Sequence, residues 1–303
     1  HAVGVSVVVM EPWVPDSALD RLLEDREDPA WVAARWEDPS TQVLGVNDRS
    51  GVSATPDQDG LRGIRPGGPY DPEHHFLIGA VDGVPWFALA ATPEGPSSSL
   101  RVLGGVLPET ELDIAMTAVA MVNWHREAGF CSRCGTATNV TAGGHTRVCP
   151  GCGAQWFPRM DPAVIVAVLD EEGRLLLGHH GGGEDTRVCI LAGFVEVGES
   201  LEQAVRREIM EESAVALASL RYVGSQPWPF PRSLMLGFVA SARGQEVRAD
   251  GEEILWARFF TRAEVTAQVA DGSLTLPMRS SIASRIITAW RDGEIGVEEP
   301  TAD

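Results

Sequence analysis

The chain has 303 residues, 44% of them hydrophobic, and a formal net charge of −19; its 24 basic side chains are all arginine. That length suits two or more domains with ample apolar content for a core, and no run of about 18 apolar residues occurs that would make a membrane-spanning helix. A negative field of this size opposes non-specific binding to nucleic acid, so an RNA substrate requires local arginine contacts.

Near the start, VGVSVVVM is too short and lacks the basic flank of a signal peptide. His1 is expected to be left by processing, and the chain is read as cytoplasmic. Residues 1–128 are expected to form a β-rich domain with a connecting helix. EDREDPAWVAARWEDPSTQ reads as a short acidic helix and loop, and ATPDQDGLRGIRPGGPYDPEHH as a Gly/Pro-rich surface segment. His74 and His75 read as an exposed pair, not ligands. FLIGAVDGVPWFALAAT reads as a hairpin turning at Asp82 and Gly83. Leu112, Met116, Val119 and Val122 recur at helical spacing, predicting a helix over residues 109–128.

Two CxxC knuckles follow, Cys131 with Cys134 and Cys149 with Cys152, fourteen residues apart. Each turns two thiolates toward one tetrahedral centre, so residues 129–157 are expected to be a zinc ribbon. Four cysteines fill the shell, which makes this Zn²⁺ structural and closed to substrate. A ribbon can also bind nucleic acid, and Arg133, His145 and Arg147 are the residues for it. Cys189, in VCILAGF, reads as a buried small hydrophobe.

Residues 158–303 are expected to form a third domain. AVIVAVL and RLLLG read as strands joined by an Asp-Glu-Glu-Gly turn, and Val188 to Leu191, LRYVG, SLMLGFVA and WARFF as further strands. A last helix is expected over about 279–290. His179 and His180 read as a surface pair.

The stretch that organises this domain is GFVEVGESLEQAVRREIMEESAV, Gly193 to Val215. Ser200 followed by Gln203 predicts a capping box, and Leu201, Ala204, Val205 and Ile209 an apolar stripe. At about 100° per residue Glu208 and Glu212 fall within that stripe, with Glu211 on its flank. Carboxylates facing inward near a helix C-terminus lose hydration and oppose the dipole, so a cation is expected there, and Mg²⁺ or Mn²⁺ suits oxygen ligands. Further on, three prolines in SQPWPFPRS stiffen the chain that presents Trp228 and Phe230.

Gly193, Glu199, Arg207, Glu208, Ile209, Glu211, Glu212 and Val215 match the Nudix box, which this stretch resembles; Ala214 stands where the pattern has glycine. With the four-cysteine ribbon before it and SQPWPFP after it, the chain resembles the NudC-type NADH pyrophosphatases. That resemblance implies an α/β/α Nudix sandwich within an α+β multidomain chain. It also implies hydrolysis of NADH or NAD to nicotinamide mononucleotide and AMP, and removal of the NAD cap from RNA, leaving 5′-monophosphate RNA. Glu208, Glu211 and Glu212 would hold two or more Mg²⁺ or Mn²⁺ ions, helped by Glu253 (or its neighbour Glu252) and the Ala192 carbonyl. Arg207 would pair with Glu199.

By the same resemblance Gln226, Pro227, Trp228, Pro229, Phe230, Pro231, Arg232 and Ser233 line the dinucleotide site. Phe194 and Phe157 add stacking surfaces, Phe157 across a homodimer interface and in place of a tyrosine. Ala283 gives a backbone contact and Arg101 a phosphate contact, while an acidic ribbon residue of the family is replaced here by Gly144. Two alternatives stand beside this reading: a broader nucleoside diphosphate hydrolase that takes ADP-ribose, and an RNA-binding ribbon with a vestigial Nudix site.

Overall fold

The computed structural model describes residues 4–7, 17–92, 95–181 and 186–297. Two compact units result. One gathers the described residues of 1–13, 161–226 and 233–303, the other those of 14–160 and 227–232.

The first unit is built on a mixed sheet whose strand order is Leu217–Trp228, Ser233–Ala242, Asp161–Leu169, Leu175–His180 and Ile254–Phe260, with Leu191–Phe194 also paired to Asp161–Leu169. The alternation of AVIVAVL explains the layers. Ile165, Ala167 and Leu169 point into one core with Ile286, Ile287 and Trp290. Val164, Val166 and Val168 point into the other with Ala204, Val205 and Ile209. The helix Leu201–Ser213 therefore covers one face and Ile282–Arg291 the opposite one, which is the α/β/α sandwich. Val5–Val7 pairs antiparallel with Ile295–Val297 in a separate ribbon of this unit.

The strand expected at Val188 to Leu191 forms instead at Leu191–Phe194, where it pairs with Ala163 to Val166. Cys189 makes only an isolated bridge to Gly178 and packs half-buried against the core; burial pushes its thiol up to about 12. The last helix begins at Ile282, capped by the Ser281 hydroxyl, a few residues later than expected. His179 is not on the surface. It is buried, its Nδ1 hydrogen-bonded to the Arg187 carbonyl at 2.7 Å and its ring stacked on Trp256.

In the second unit the sheet order is Phe76–Val81, Val84–Ala90, Gln42–Val46, Gly51–Ser53 and Ser97–Ser99, and the helix Glu109–Glu127 packs on it. The hairpin turns at Asp82 and Gly83, whose φ values of 50° and 78° suit a primed turn. His75 departs from the exposed pair expected: its ring stacks on Trp36 with centroids 3.8 Å apart, and its Nδ1 accepts the Asp71 backbone N–H. His74 stays exposed, against Asp71.

Asn139–Thr141, Thr146–Val148 and Gln155–Trp156 form the ribbon's three strands. Arg147 is buried and His145 half-buried with its Nε2 engaged inside the fold, which counts against two of the three side chains considered for nucleic acid. Arg147 donates to Thr138 Oγ1 at 2.7 Å, the Thr138 carbonyl at 2.9 Å, His125 Nδ1 at 2.9 Å and Glu73 at 3.3 Å. His145 Nε2 meets the Leu77 carbonyl at 2.8 Å. Arg133 alone of the three is exposed.

Candidate metal and nucleotide sites

Ser200 opens the helix of the box: its hydroxyl accepts the Gln203 N–H while the Gln203 side chain accepts the Ser200 N–H, the reciprocal cap read from the sequence. Ala204, Val205 and Ile209 are fully enclosed, the latter two contributing about 1.5–3 kcal/mol each. That burial fixes the helix's rotation, and so the direction of the glutamates one turn on. At the far end Ala214 takes the left-handed conformation, φ 58°, that the missing glycine would have taken.

Glu212 is 3% exposed, and neither carboxylate oxygen has a hydrogen-bond partner. Burial, with the charges of Glu208, Glu253, Asp250 and Glu211 around it, raises its carboxyl to about 8. A buried carboxyl without a hydrogen-bond partner among four other acids fits a divalent cation, which would favour its ionised form. Glu208 lies over Gly193 so closely that a Cβ on that glycine would collide with the carboxylate. Its Oε1 also meets Arg207 Nη1 at 2.8 Å, and the same nitrogen donates to Glu211 at 3.0 Å. With two of the three glutamates drawn to this guanidinium, the trio does not bring its oxygens within 4.8 Å of one another; among the described residues only the ribbon cysteines converge that tightly.

Arg207 grips Glu199 with both arms, Nε to Oε1 at 2.7 Å and Nη2 to Oε2 at 2.8 Å, and Nη2 also donates to the Phe194 carbonyl at 2.9 Å. This fork holds the Gly193–Glu199 loop to the helix and depresses the Glu199 carboxyl to about 2. Ala192 lies in the strand Leu191–Phe194, opposite Ile165. Glu253 sits on a loop that Asp250 fixes: the Asp250 carboxylate accepts the backbone N–H groups of Glu252, Glu253 and Ile254. Sequence reasoning missed Asp250, although Asp-Gly in ADGEE signals a turn of this kind.

The Cys131 and Cys152 sulfurs are 3.7 Å apart and those of Cys134 and Cys149 3.4 Å, all four within 4.8 Å of one another. A tetrahedron with Zn–S bonds of about 2.3 Å has edges of about 3.8 Å, so the four thiolates fit a zinc ion.

Gln226 is fully buried, and its amide is occupied within the fold. Nε2 donates to the Ser280 carbonyl at 2.8 Å and Oε1 accepts the Ile282 N–H at 2.6 Å, which anchors the start of the helix carrying buried Ala283. Ser233 is buried at the head of its strand. Phe194, 57% exposed, offers a free ring face.

In the other unit Pro227 to Arg232 packs among that unit's own side chains. The Arg101 guanidinium lies 4.4 Å from the Phe230 ring centre and 5.4 Å from that of Trp228, and the two rings meet edge to face. Asn123 Nδ2 donates to the Pro229 carbonyl at 3.1 Å, and Arg232 pairs with Glu127 at 2.6 Å. The Phe230–Pro231 peptide is cis. Phe157 is 57% exposed, and Gly144 is buried against Phe76 with no side chain to reach a ligand.

Comparison with known proteins agrees with this geometry. Residues 159–278 match the NUDIX domain model, and residues 126–157 the NADH pyrophosphatase zinc ribbon domain. The NAD-capped RNA hydrolase NudC of Mycobacterium bovis (strain BCG / Pasteur 1173P2) is 37% identical over 289 residues, 89% of this chain and 91% of its own length. That of Mycobacterium tuberculosis (strain ATCC 25618 / H37Rv) gives the same figures. The NAD-capped RNA hydrolase NUDT12 of Homo sapiens is 38% identical over 196 residues, 61% of this chain and 42% of its own. With a box helix whose buried glutamate lacks a partner, a closed four-cysteine ribbon and similarity along nearly its whole length, the chain belongs to the NudC family of Nudix hydrolases.

Proposed function

We propose that the chain hydrolyses the pyrophosphate bond of NADH and NAD to nicotinamide mononucleotide and AMP, and removes the NAD cap from RNA to leave a 5′ monophosphate. The observation that carries this reading is Glu212, a carboxylate buried without a partner at the end of the box helix. Glu208, Glu211, Glu212, Glu253 and the Ala192 carbonyl would hold Mg²⁺ or Mn²⁺, both of which prefer oxygen. Held there, such ions would supply charge neutralisation of the pyrophosphate, which otherwise repels a nucleophile, and would activate water.

The chain's own residues do the rest. Arg207 keeps the loop and helix in register through Glu199. Asp250 presents Glu253. Gln226 acts as a positioning residue for the Ala283 backbone, while Trp228, Phe230, Phe194 and Phe157 offer rings to the flat bases, and Arg101 a charge to the phosphates. The remaining elements of the proposal are a structural Zn²⁺, the division at 1–128, 129–157 and 158–303, a homodimer and a cytoplasmic setting.

The test is product analysis after incubation with NADH, NAD-capped RNA and ADP-ribose, in Mg²⁺ and separately in Mn²⁺. Nicotinamide mononucleotide released from the first two by the wild type and absent with Glu212→Gln is the expected result. Equal turnover of ADP-ribose and NADH would favour the broader hydrolase, and no product from any of the three would overturn both.

A further inference from the structure

A cleft of about 430 Å³ opens in the unit of residues 14–160 and 227–232, with Arg49, Arg101 and Arg126 in its wall beside Phe230 and Pro231. Its volume falls in the usual range for small-molecule sites, about 300–1,000 Å³. Its charge is the reverse of the chain's. Two carboxylates also line it, but Asp48 lies against Arg126 at 3.2 Å and Glu127 is neutralised by Arg232 at 2.6 Å, outside the lining. In a protein of net charge −19, a concave surface on which guanidiniums outnumber carboxylates three to two is where an anion can be held against the overall field.

The arginines are set in place beforehand. Arg126 donates from Nη1 to the Asn47 carbonyl and from Nη2 to the Val46 carbonyl, both at 3.0 Å. The turn bearing Arg49 is fixed by the Asn47 side chain, which accepts the N–H groups of Arg49 and Gly51. Asn123 joins this turn to the proline-rich loop, donating to Ser50 Oγ as well as to the Pro229 carbonyl. The cleft is thus tied at one edge to the loop that the proposed function assigns to the dinucleotide, and its other wall is arginine.

We propose that this cleft holds the RNA chain beyond the cap, with Arg49 contacting a backbone phosphate. The inference rests on the reading of the chain as a hydrolase of NAD-capped RNA. Free NADH ends at its two nucleosides, whereas a capped transcript continues as a phosphodiester, the anion that the guanidinium fork matches. Phosphate contacts position a strand without reading its sequence, so the cleft favours capped RNA over free dinucleotide and is indifferent to the bases.

The experiment measures, by fluorescence anisotropy over a range of salt, binding of an unstructured 5′-monophosphate RNA oligonucleotide to wild-type protein, Arg49→Ala and Arg49→Glu. Turnover of NADH and NAD-capped RNA and thermal unfolding are followed alongside. Arg49→Ala is expected to weaken RNA binding roughly three- to tenfold and to make the slope of log K against log salt shallower by about 0.7, one single-strand phosphate contact. Arg49→Glu should weaken binding further. Capped-RNA kcat/KM should fall in step, with NADH turnover and unfolding temperature unchanged. Undiminished RNA binding in both variants, no RNA binding by the wild type, or NADH turnover falling as far as that of capped RNA would each overturn the proposal. If the wild type turns over neither substrate the hydrolase reading falls, and RNA binding lost in Arg49→Glu still upholds the cleft.

Discussion

Gly193 and Glu208 occupy one another's space: the carboxylate lies where a side chain at 193 would begin. Gly193→Ala must therefore push Glu208 aside. The expected result is a loss of activity of about 10- to 100-fold, the scale for disturbing the surroundings of a metal site, with the fold retained because Val164, opposite in the sheet, is untouched. Kinetics at increasing Mg²⁺ or Mn²⁺, with a far-ultraviolet spectrum as control, check this.

Glu212 connects metal binding to stability. A divalent ion that binds only the folded chain raises stability by about 2.7 kcal/mol at a hundredfold excess over Kd. Mg²⁺ or Mn²⁺ should therefore raise the unfolding temperature of the wild type. Glu212→Gln removes the carboxyl whose oxygens have no other partner and should lose most of that rise, which a thermal melt with and without the ion measures.

Ala214 ends the box helix at φ 58°, a conformation that costs a residue with a Cβ about 1–2 kcal/mol. Glycine there removes the strain and adds some freedom to the unfolded chain. Ala214→Gly is expected to stabilise the protein by about 1 kcal/mol or slightly less without altering turnover, as read from denaturant unfolding.

Two histidines set an acid limit. Burial, opposed by a hydrogen bond to the Gly144 carbonyl and reinforced by the Arg147 charge, lowers His125 to about 3. Burial and the Arg26 charge lower His145 to about 4. Both are depressed below an unfolded value of about 6.5, so the unfolded chain takes up protons that the folded chain refuses. Their contribution is complete above pH 6.5 and is lost as pH falls through about 4 and then 3. Melting temperature against pH should decline over this range, and His145→Gln, which keeps a donor for the Leu77 carbonyl, should flatten the decline.

Legibility followed the range of the interactions involved. The capping box, the inward Glu208 and Glu212 and the four cysteines are set by spacing along a helix or knuckle, and each could be read from a few neighbouring residues; Glu211, read with them as facing the interior, lies on the flank of the stripe and is 60% exposed. His179, Arg147 and His145 were misplaced because their burial depends on partners brought up by the fold: Trp256, Glu73 and Leu77. Gln226 belongs to the same class. Its motif marks it for the ligand, and only the tertiary structure brings Ser280 and Ile282 to its amide. The strand at Leu191–Phe194 was set too early because an apolar run does not reveal which of its residues finds the sheet.

The pairing of Val5–Val7 with Ile295–Val297 has a consequence for biosynthesis. A ribosome moving at about 5–20 residues per second releases the first of these strands tens of seconds before the second exists. Throughout that interval the early strand waits without its mate, while residues 17–160 already contain every strand of their own five-stranded sheet. Truncation just before Ile295 would make the wait permanent, leaving an open edge for other chains to add to.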